Sequence, residues 1–284
     1  MKRLCIVVAL LGCAAPSFAP RGAAQNLKVD VDLVLVNATV TERGGGYVIG
    51  LKKKDFHVWE DKVEQQVASL STESVPISVA IVFDISYSMQ SFGAYARQAV
   101  LTFLRASNPE DEYCLILFSD KPRVQIDLTK DISKVEQLPF IPYEAVTALY
   151  DGVYLGMETL KKASYPKRAL IVVTDGGETH SRSTFSNLKD SVGEQNVQIF
   201  SIGVEGRIND IVQMTGGYAF HGASLDGLFE KIAIELKNEY VIGYHSTNQT
   251  KNGKWRKIEL KVDPPPGLSK LSIRGKTGYH AAAQ

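Results

Sequence analysis

The chain has 284 residues, with 32 lysines and arginines against 31 aspartates and glutamates. Such a near-neutral balance argues against nucleic acid or an anionic membrane as the main partner. The length suits one large domain or two smaller ones.

At the N-terminus, Met1-Lys2-Arg3 is a short positive start, Leu4 to Gly12 is apolar, and small residues run from Cys13 to Ala24. This is the three-part pattern of a secretory signal peptide, with cleavage expected after Ala19 or Ala24. The apolar core is far shorter than the ~20 residues that span a bilayer. A second option is Leu10-Leu11-Gly12-Cys13, which resembles a bacterial lipobox, although Leu11 is not a preferred residue there and the segment is short; Cys13 would then carry a lipid anchor. Beyond residue 24 there remain 29 basic and 31 acidic residues, a net charge of about −2. The expected location is exported: periplasmic, cell-envelope or extracellular. Cys5 and Cys13 lie in the leader, so Cys114 is left alone. It sits in the apolar run Tyr113 to Phe118 and reads as a small buried core residue.

The first zone, Leu27 to Ser71, reads as strand. Leu27, Val29, Val31, Leu33 and Leu35 alternate with polar residues. The apolar set then moves to Val36, Ala38 and Val40, which predicts a bulge. Gly44-Gly45-Gly46 turns the chain. Asp55 to Trp59 and Val63 to Leu70 read as two short strands around Glu60-Asp61-Lys62.

From Val75 to about Asn238 the period changes. Ile77 to Phe83 is a buried strand. Phe92, Tyr95, Ala96, Ala99, Val100, Phe103 and Leu104 make a helix face. Tyr113 to Phe118 is the next strand, and Leu149, Val153, Met157 and Leu160 mark a second helix. Ala169 to Val173 and Val197 to Val204 are short runs rich in β-branched residues. Leu225, Leu228, Phe229, Ile232 and Leu236 make the last helix. Strands alternating with helices predict an α/β fold with a doubly wound, mainly parallel sheet covered on both faces.

The final zone returns to strand. Tyr240 to Tyr244 is one, the alternating segment Arg256 to Val262 is another, and Leu271 to Ile273 follows Pro264-Pro265-Pro266. Each flank alone would bury little core. The expected solution is a small discontinuous, sandwich-like β domain, residues 25–75 and 239–284, with the α/β domain, residues 76–238, inserted in it.

Within the α/β zone, Asp84-Ile85-Ser86-Tyr87-Ser88 follows the first buried strand. Ligands in open parallel sheets bind at the carboxyl ends of strands, and such a loop can aim positions 84, 86 and 88 into one crevice. Asp175 closes another strand, and Thr147 precedes a helix. Carboxylates and hydroxyls suit a hard cation such as Mg²⁺, which takes oxygen ligands at about 2.0–2.1 Å. No Cys or His is present to favour zinc. Asp151 and Glu178 are near the site in sequence and read as helix-end or supporting groups.

The motif Asp84-x-Ser86-x-Ser88, the separate Thr147 and Thr174-Asp175-Gly176 together resemble the metal-ion-dependent adhesion site of von Willebrand factor type A domains. The resemblance spans roughly residues 76 to 238. It implies a doubly wound α/β fold, a bound Mg²⁺ or Mn²⁺, and a protein partner held through its Asp or Glu carboxylate. The flanks, with Val31-Asp32-Leu33-Val34-Leu35-Val36, Asp55-Phe56-His57-Val58-Trp59-Glu60-Asp61 and a basic strand from Arg274 to Tyr279, are similar to those of an acidobacterial VWFA-related family. The insertion resembles that of the integrin β chain, and by analogy ligand binding would shift the last helix.

Catalysis is not expected. The phosphatases that also open with an Asp after a first strand need a second acid two residues on, and position 86 is Ser. No GxSxG sequence is present. A structural role is the alternative, in which the β domain carries the interface through its strand edges. The five histidines (57, 180, 221, 245 and 280) show no metal-ligand spacing. Asn37-Ala38-Thr39 and Asn248-Gln249-Thr250 read as chance matches to glycosylation acceptors.

Overall fold

The structure is a computed structural model that describes residues 33–72, 75–138, 142–175, 177–203, 206–220, 225–268 and 270–283. The leader with Cys5 and Cys13, the start of the first predicted strand, and Gly176 lie outside the described residues.

The first flank supplies four strands: β1 (Leu33–Glu42), β2 (Phe56–Glu60), β3 (Val63–Gln65) and β4 (Val67–Ser71). The middle zone follows as β5 (Ser78–Asp84), α1 (Gly93–Ala106), β6 (Glu112–Phe118), β7 (Arg123–Thr129), α2 (Ser133–Glu136), α3 (Leu149–Leu160), β8 (Arg168–Val173), α4 (Phe185–Glu194), β9 (Gln198–Ile202), α5 (Ile208–Met214), β10 (Ala219–Phe220) and α6 (Leu225–Lys237). The last flank gives β11 (Tyr240–His245), β12 (Trp255–Val262), β13 (Leu271–Gly275) and β14 (Gly278–His280).

A six-stranded sheet has the order β10-β9-β8-β5-β6-β7. All its pairings are parallel except β6 with β7. Every residue of β5 is buried, which is why it reads as a continuous apolar run. Its two faces serve different layers. Val79, Ile81 and Phe83 pack with α1 and α6, whereas Ala80 and Val82 pack with α3 and residues of α4 and α5. This is the period of two expected of a strand between two helical layers. Cys114 lies in the second layer, and burial pushes its thiol up to about 12.

The flanks pair with each other in two antiparallel sheets, β13-β1-β11-β4 and β14-β12-β2-β3. Between them lies a core that includes Val36, Ala38, Val58, Tyr240 and Ile242.

Three local expectations change. The bulge predicted in the first strand is absent from β1, whose register with β11 and β13 is unbroken. The apolar pattern shifts there for another reason: β1 is buried on both faces. Its even residues meet the second sheet, while Thr39 turns to the α/β layer and donates to Glu235 at 3.3 Å. The segment Val63 to Leu70 is not one strand. It follows a tight turn with positive φ at Asp61 and Lys62, then breaks at Gln66 and crosses from one sheet to the other. The segment Arg274 to Tyr279 likewise divides between β13 and β14, which belong to different sheets.

Buried charges hold the flanks together and to α6. Glu60 pairs with Arg256 at 3.1 Å and accepts from Tyr244, Tyr279 and Ser246. Arg274 pairs with Glu235 at 2.5 Å, and Lys167 lies 3.3 Å from Glu239, whose carboxyl burial raises to about 7. Removing one member of a satisfied buried pair strands the other charge. Glu60→Ala is therefore expected to cost about 3–5 kcal/mol in urea unfolding, with Glu60→Gln intermediate.

On the outer face, His57 bridges Glu64 at 3.0 Å and Asp263 at 3.1 Å, and these bonds raise its pKa above 6.5. A raised histidine contributes stability in full below its unfolded pKa and loses it as pH rises through the folded value. His57→Gln should thus lower the melting temperature more at about pH 5.5 than at about pH 8.5. Equal losses at both would remove the ionic contribution.

Candidate functional site

β5 ends in a charge. Asp84 is fully buried at the carboxyl end of this strand, opposite Phe118 of β6. A buried carboxylate must find donors. One oxygen accepts from the backbone N–H of Ser86 at 2.7 Å, and the other from the Thr174 hydroxyl at 2.6 Å. Burial still raises Asp84 above the usual carboxylate value; the two hydrogen bonds oppose that rise and the neighbouring Asp175 charge adds to it.

After Asp84 the chain stays close to the sheet. Ile85 N–H donates to the Phe118 carbonyl at 2.9 Å, and Tyr87 N–H donates to the Glu144 carbonyl at 2.8 Å. Glu144 N–H returns to the Ile85 carbonyl, forming a parallel bridge beside Ser86. These bonds hold the loop in place and lead into a 3₁₀ turn, Tyr87–Ser91, before α1. Ser86 is buried and Ser88 exposed, with their hydroxyl oxygens 3.0 Å apart.

Thr147 is buried just before α3. Its carbonyl accepts from Thr179 N–H at 2.9 Å and His180 N–H at 3.1 Å, while its own N–H donates to the Thr179 hydroxyl at 3.1 Å. A methyl on Gly177 would stand 3.6 Å from its hydroxyl. Thr147 is thus set against the loop that begins with the exposed Asp175. Asp84, Ser86, Ser88, Thr147 and Asp175 therefore lie on three loops at one end of the sheet.

The residues fit a hard cation. A carboxylate has about four acceptor positions, and the Ser86 N–H and the Thr174 hydroxyl use two of those on Asp84. Oxygens at about 2.0–2.1 Å around one octahedral ion lie about 2.9 Å from their neighbours, close to the 3.0 Å between Ser86 and Ser88. Among the described residues no three His, Cys, Asp or Glu side chains form a metal cluster. This site instead draws on two carboxylates and three hydroxyls.

Two supporting residues were given no role by the sequence, although Thr174 was quoted as part of the Thr174-Asp175-Gly176 motif. Thr174 satisfies Asp84, and Glu144 anchors the first loop through its backbone. Only the position of Thr174, directly before Asp175, could have marked it. Asp151 and Glu178 do act as supports. Asp151 accepts from Arg182 and Ser183 N–H groups, both at 2.9 Å, and Glu178 from Tyr150, His180 and Ser181. His180 is exposed and meets Asp120 at 3.1 Å. Asn37 is buried within β1, which agrees with a chance glycosylation match there.

Residues 79–178 match the von Willebrand factor type A domain. Over that stretch the chain is similar to von Willebrand factor type A domains, and the structure has a sheet of mostly parallel strands flanked by helices, with separate antiparallel sheets built from the flanks. A comparison with the curated proteins gives no match. Among solved structures, an aerotolerance-related membrane protein from Bacteroides fragilis is similar at 18% identity and a TM-score of 0.48, over 56% of this chain and 98% of that one. BatB from Bacteroides thetaiotaomicron is similar at 19% identity and 0.47, over 56% and 97%. The PilB minor pilin of Streptococcus sanguinis follows at 14% and 0.43, over 57% and 61%.

Thr174→Val removes the donor to a buried carboxylate. It should cost about 1–3 kcal/mol in chemical unfolding, and Thr174→Ser should recover most of that. If valine and serine behave alike, the hydrogen bond does not hold the site.

Proposed function

We propose that this chain is an exported, non-catalytic binding protein that holds Mg²⁺ or Mn²⁺ with Asp84, Ser86, Ser88, Thr147 and Asp175. Through that ion it takes an Asp or Glu carboxylate of a partner protein. The observation that carries the reading is the convergence of two carboxylates and three hydroxyls on loops at one sheet end, with two hydroxyls at the spacing of neighbouring octahedral ligands.

Each residue has a role in this proposal. Asp84 brings a buried charge whose orientation Ser86 N–H and Thr174 hold. Ser86 and Ser88 offer neutral oxygens, which leave the ion more electrophilic than a set of carboxylates would. Asp175 and Ser88 are exposed, so the site is open on the side where a partner would approach. A bound divalent ion would supply an electrophilic centre for an incoming carboxylate. The position two residues after Asp84 is a serine, which is not an acid able to protonate a leaving group. The leader pattern supports export, and among the described residues no helix is long and apolar enough to cross a membrane.

The test is calorimetric titration of the full chain with Mg²⁺ and Mn²⁺, followed by capture from envelope extract with Mg²⁺ or with EDTA. Saturable metal binding and EDTA-sensitive capture are expected. Asp84→Asn separates stability from function. Its amide can accept from Ser86 and donate to Thr174, and it removes a charge whose burial is costly. The variant should melt higher than the native chain in EDTA, yet show no Mg²⁺-induced rise. Absence of metal binding by the native chain would end the proposal.

A further inference from the structure

Where α4 and α5 meet strands β12 and β14, the protein forms a cleft of about 610 Å³. None of its lining residues comes from the three loops of the metal face. Trp255 and His280 form one wall. They face each other across the β12–β14 ladder, with ring centres 5.2 Å apart and an interplanar angle of 70°. Two glycines make room for this pair. A methyl on Gly278 would come within 2.3 Å of the indole, and one on Gly193 within 2.5 Å of the imidazole. His280 is fixed by a 3.0 Å contact between Nδ1 and the Gly253 carbonyl, and its Nε2 lies 4.0 Å from Asp190. Asp190, Asp210 and Gln213, all exposed, supply polar groups from α4 and α5.

The volume falls within the ~300–1,000 Å³ of small-ligand sites, and the lining selects among ligands. A wholly apolar ligand would strip water from two carboxylates without replacing their hydrogen bonds. An anionic ligand would meet Asp190 and Asp210, with Lys189 alone to offset them. A compact cation would satisfy the two carboxylates but leave the Gln213 amide and the broad aromatic wall without partners, whereas a neutral molecule with hydroxyls for the carboxylates and amide and a C–H face for the aromatic wall uses the whole lining. We propose that this cleft is a saccharide-binding site for a neutral sugar ring, independent of the metal face.

The probe is an array of neutral oligosaccharides exposed to the labelled full chain in EDTA, which silences the metal site. Retained sugars are then titrated by intrinsic fluorescence in a Trp59→Phe background, where Trp255 is the remaining indole of the two in the chain. At least one sugar should shift the emission saturably. Asp210→Ala and Gln213→Ala should each weaken binding by roughly tenfold, the loss of a hydrogen bond worth about 1–2 kcal/mol, with the melting temperature unchanged. The proposal is overturned if no sugar is retained. It is equally overturned if both variants bind as the native chain does, or if oligolysine but no free sugar displaces the signal. That last result would mark the cleft as a dock for cationic peptides.

Discussion

The buried carboxylate of Asp84 sets the terms for the rest of the site. It ends β5, a strand buried at every residue, at the centre of a six-stranded sheet. A charge there survives only if neighbouring chain segments bring it donors. Thr174, at the end of the adjacent β8, and the backbone of Ser86 do so. The need to satisfy one group thus draws two loops together, and hydrogen bonds from residues 179 and 180 to Thr147 draw in the third.

A second constraint ties the flanks to the α/β layer. Glu235 on α6 is buried and engages Thr39 of β1 and Arg274 of β13. Two residues past that helix, Glu239 is buried beside Lys167, just ahead of β8. The end of α6 is therefore held by ionic contacts with both the sheet and the flanking strands. Any displacement of α6 must separate buried charges, so it would be cooperative with the β layers rather than local.

Much of the fold was legible in the sequence because burial leaves a period. The strand–helix alternation from residue 77 to 237 followed from runs such as Ala169–Val173 and from the spacing of Ala96, Ala99, Val100 and Phe103. Elements with little burial left a weaker trace. The edge strand β7 exposes Arg123, Val124 and Asp127 and buries Ile126, and α4 buries only Leu188, Val192 and Gly193 on a mostly polar segment. Sheet exchange at Gln66 also left none, because alternation along a strand does not record which neighbour it pairs with.

For the site, the sequence by itself determined the chemistry. Asp84, Ser86, Ser88, Thr147 and Asp175 are oxygen donors placed where strands end and helices begin, and residue type and local period are enough to say so. Only the tertiary structure decided which of those ends meet. It placed Thr174 on Asp84, Thr147 against the loop after Asp175, and Trp255 and His280 beside α4. It also showed that the apolar shift in β1 records two buried faces and not a bulge. The reason is physical: chemistry and periodicity are properties of a few neighbouring residues. Contact between segments far apart in the chain, such as Asp84 and Thr174 at a separation of 90 residues, depends on how buried faces and buried charges across the chain are satisfied together.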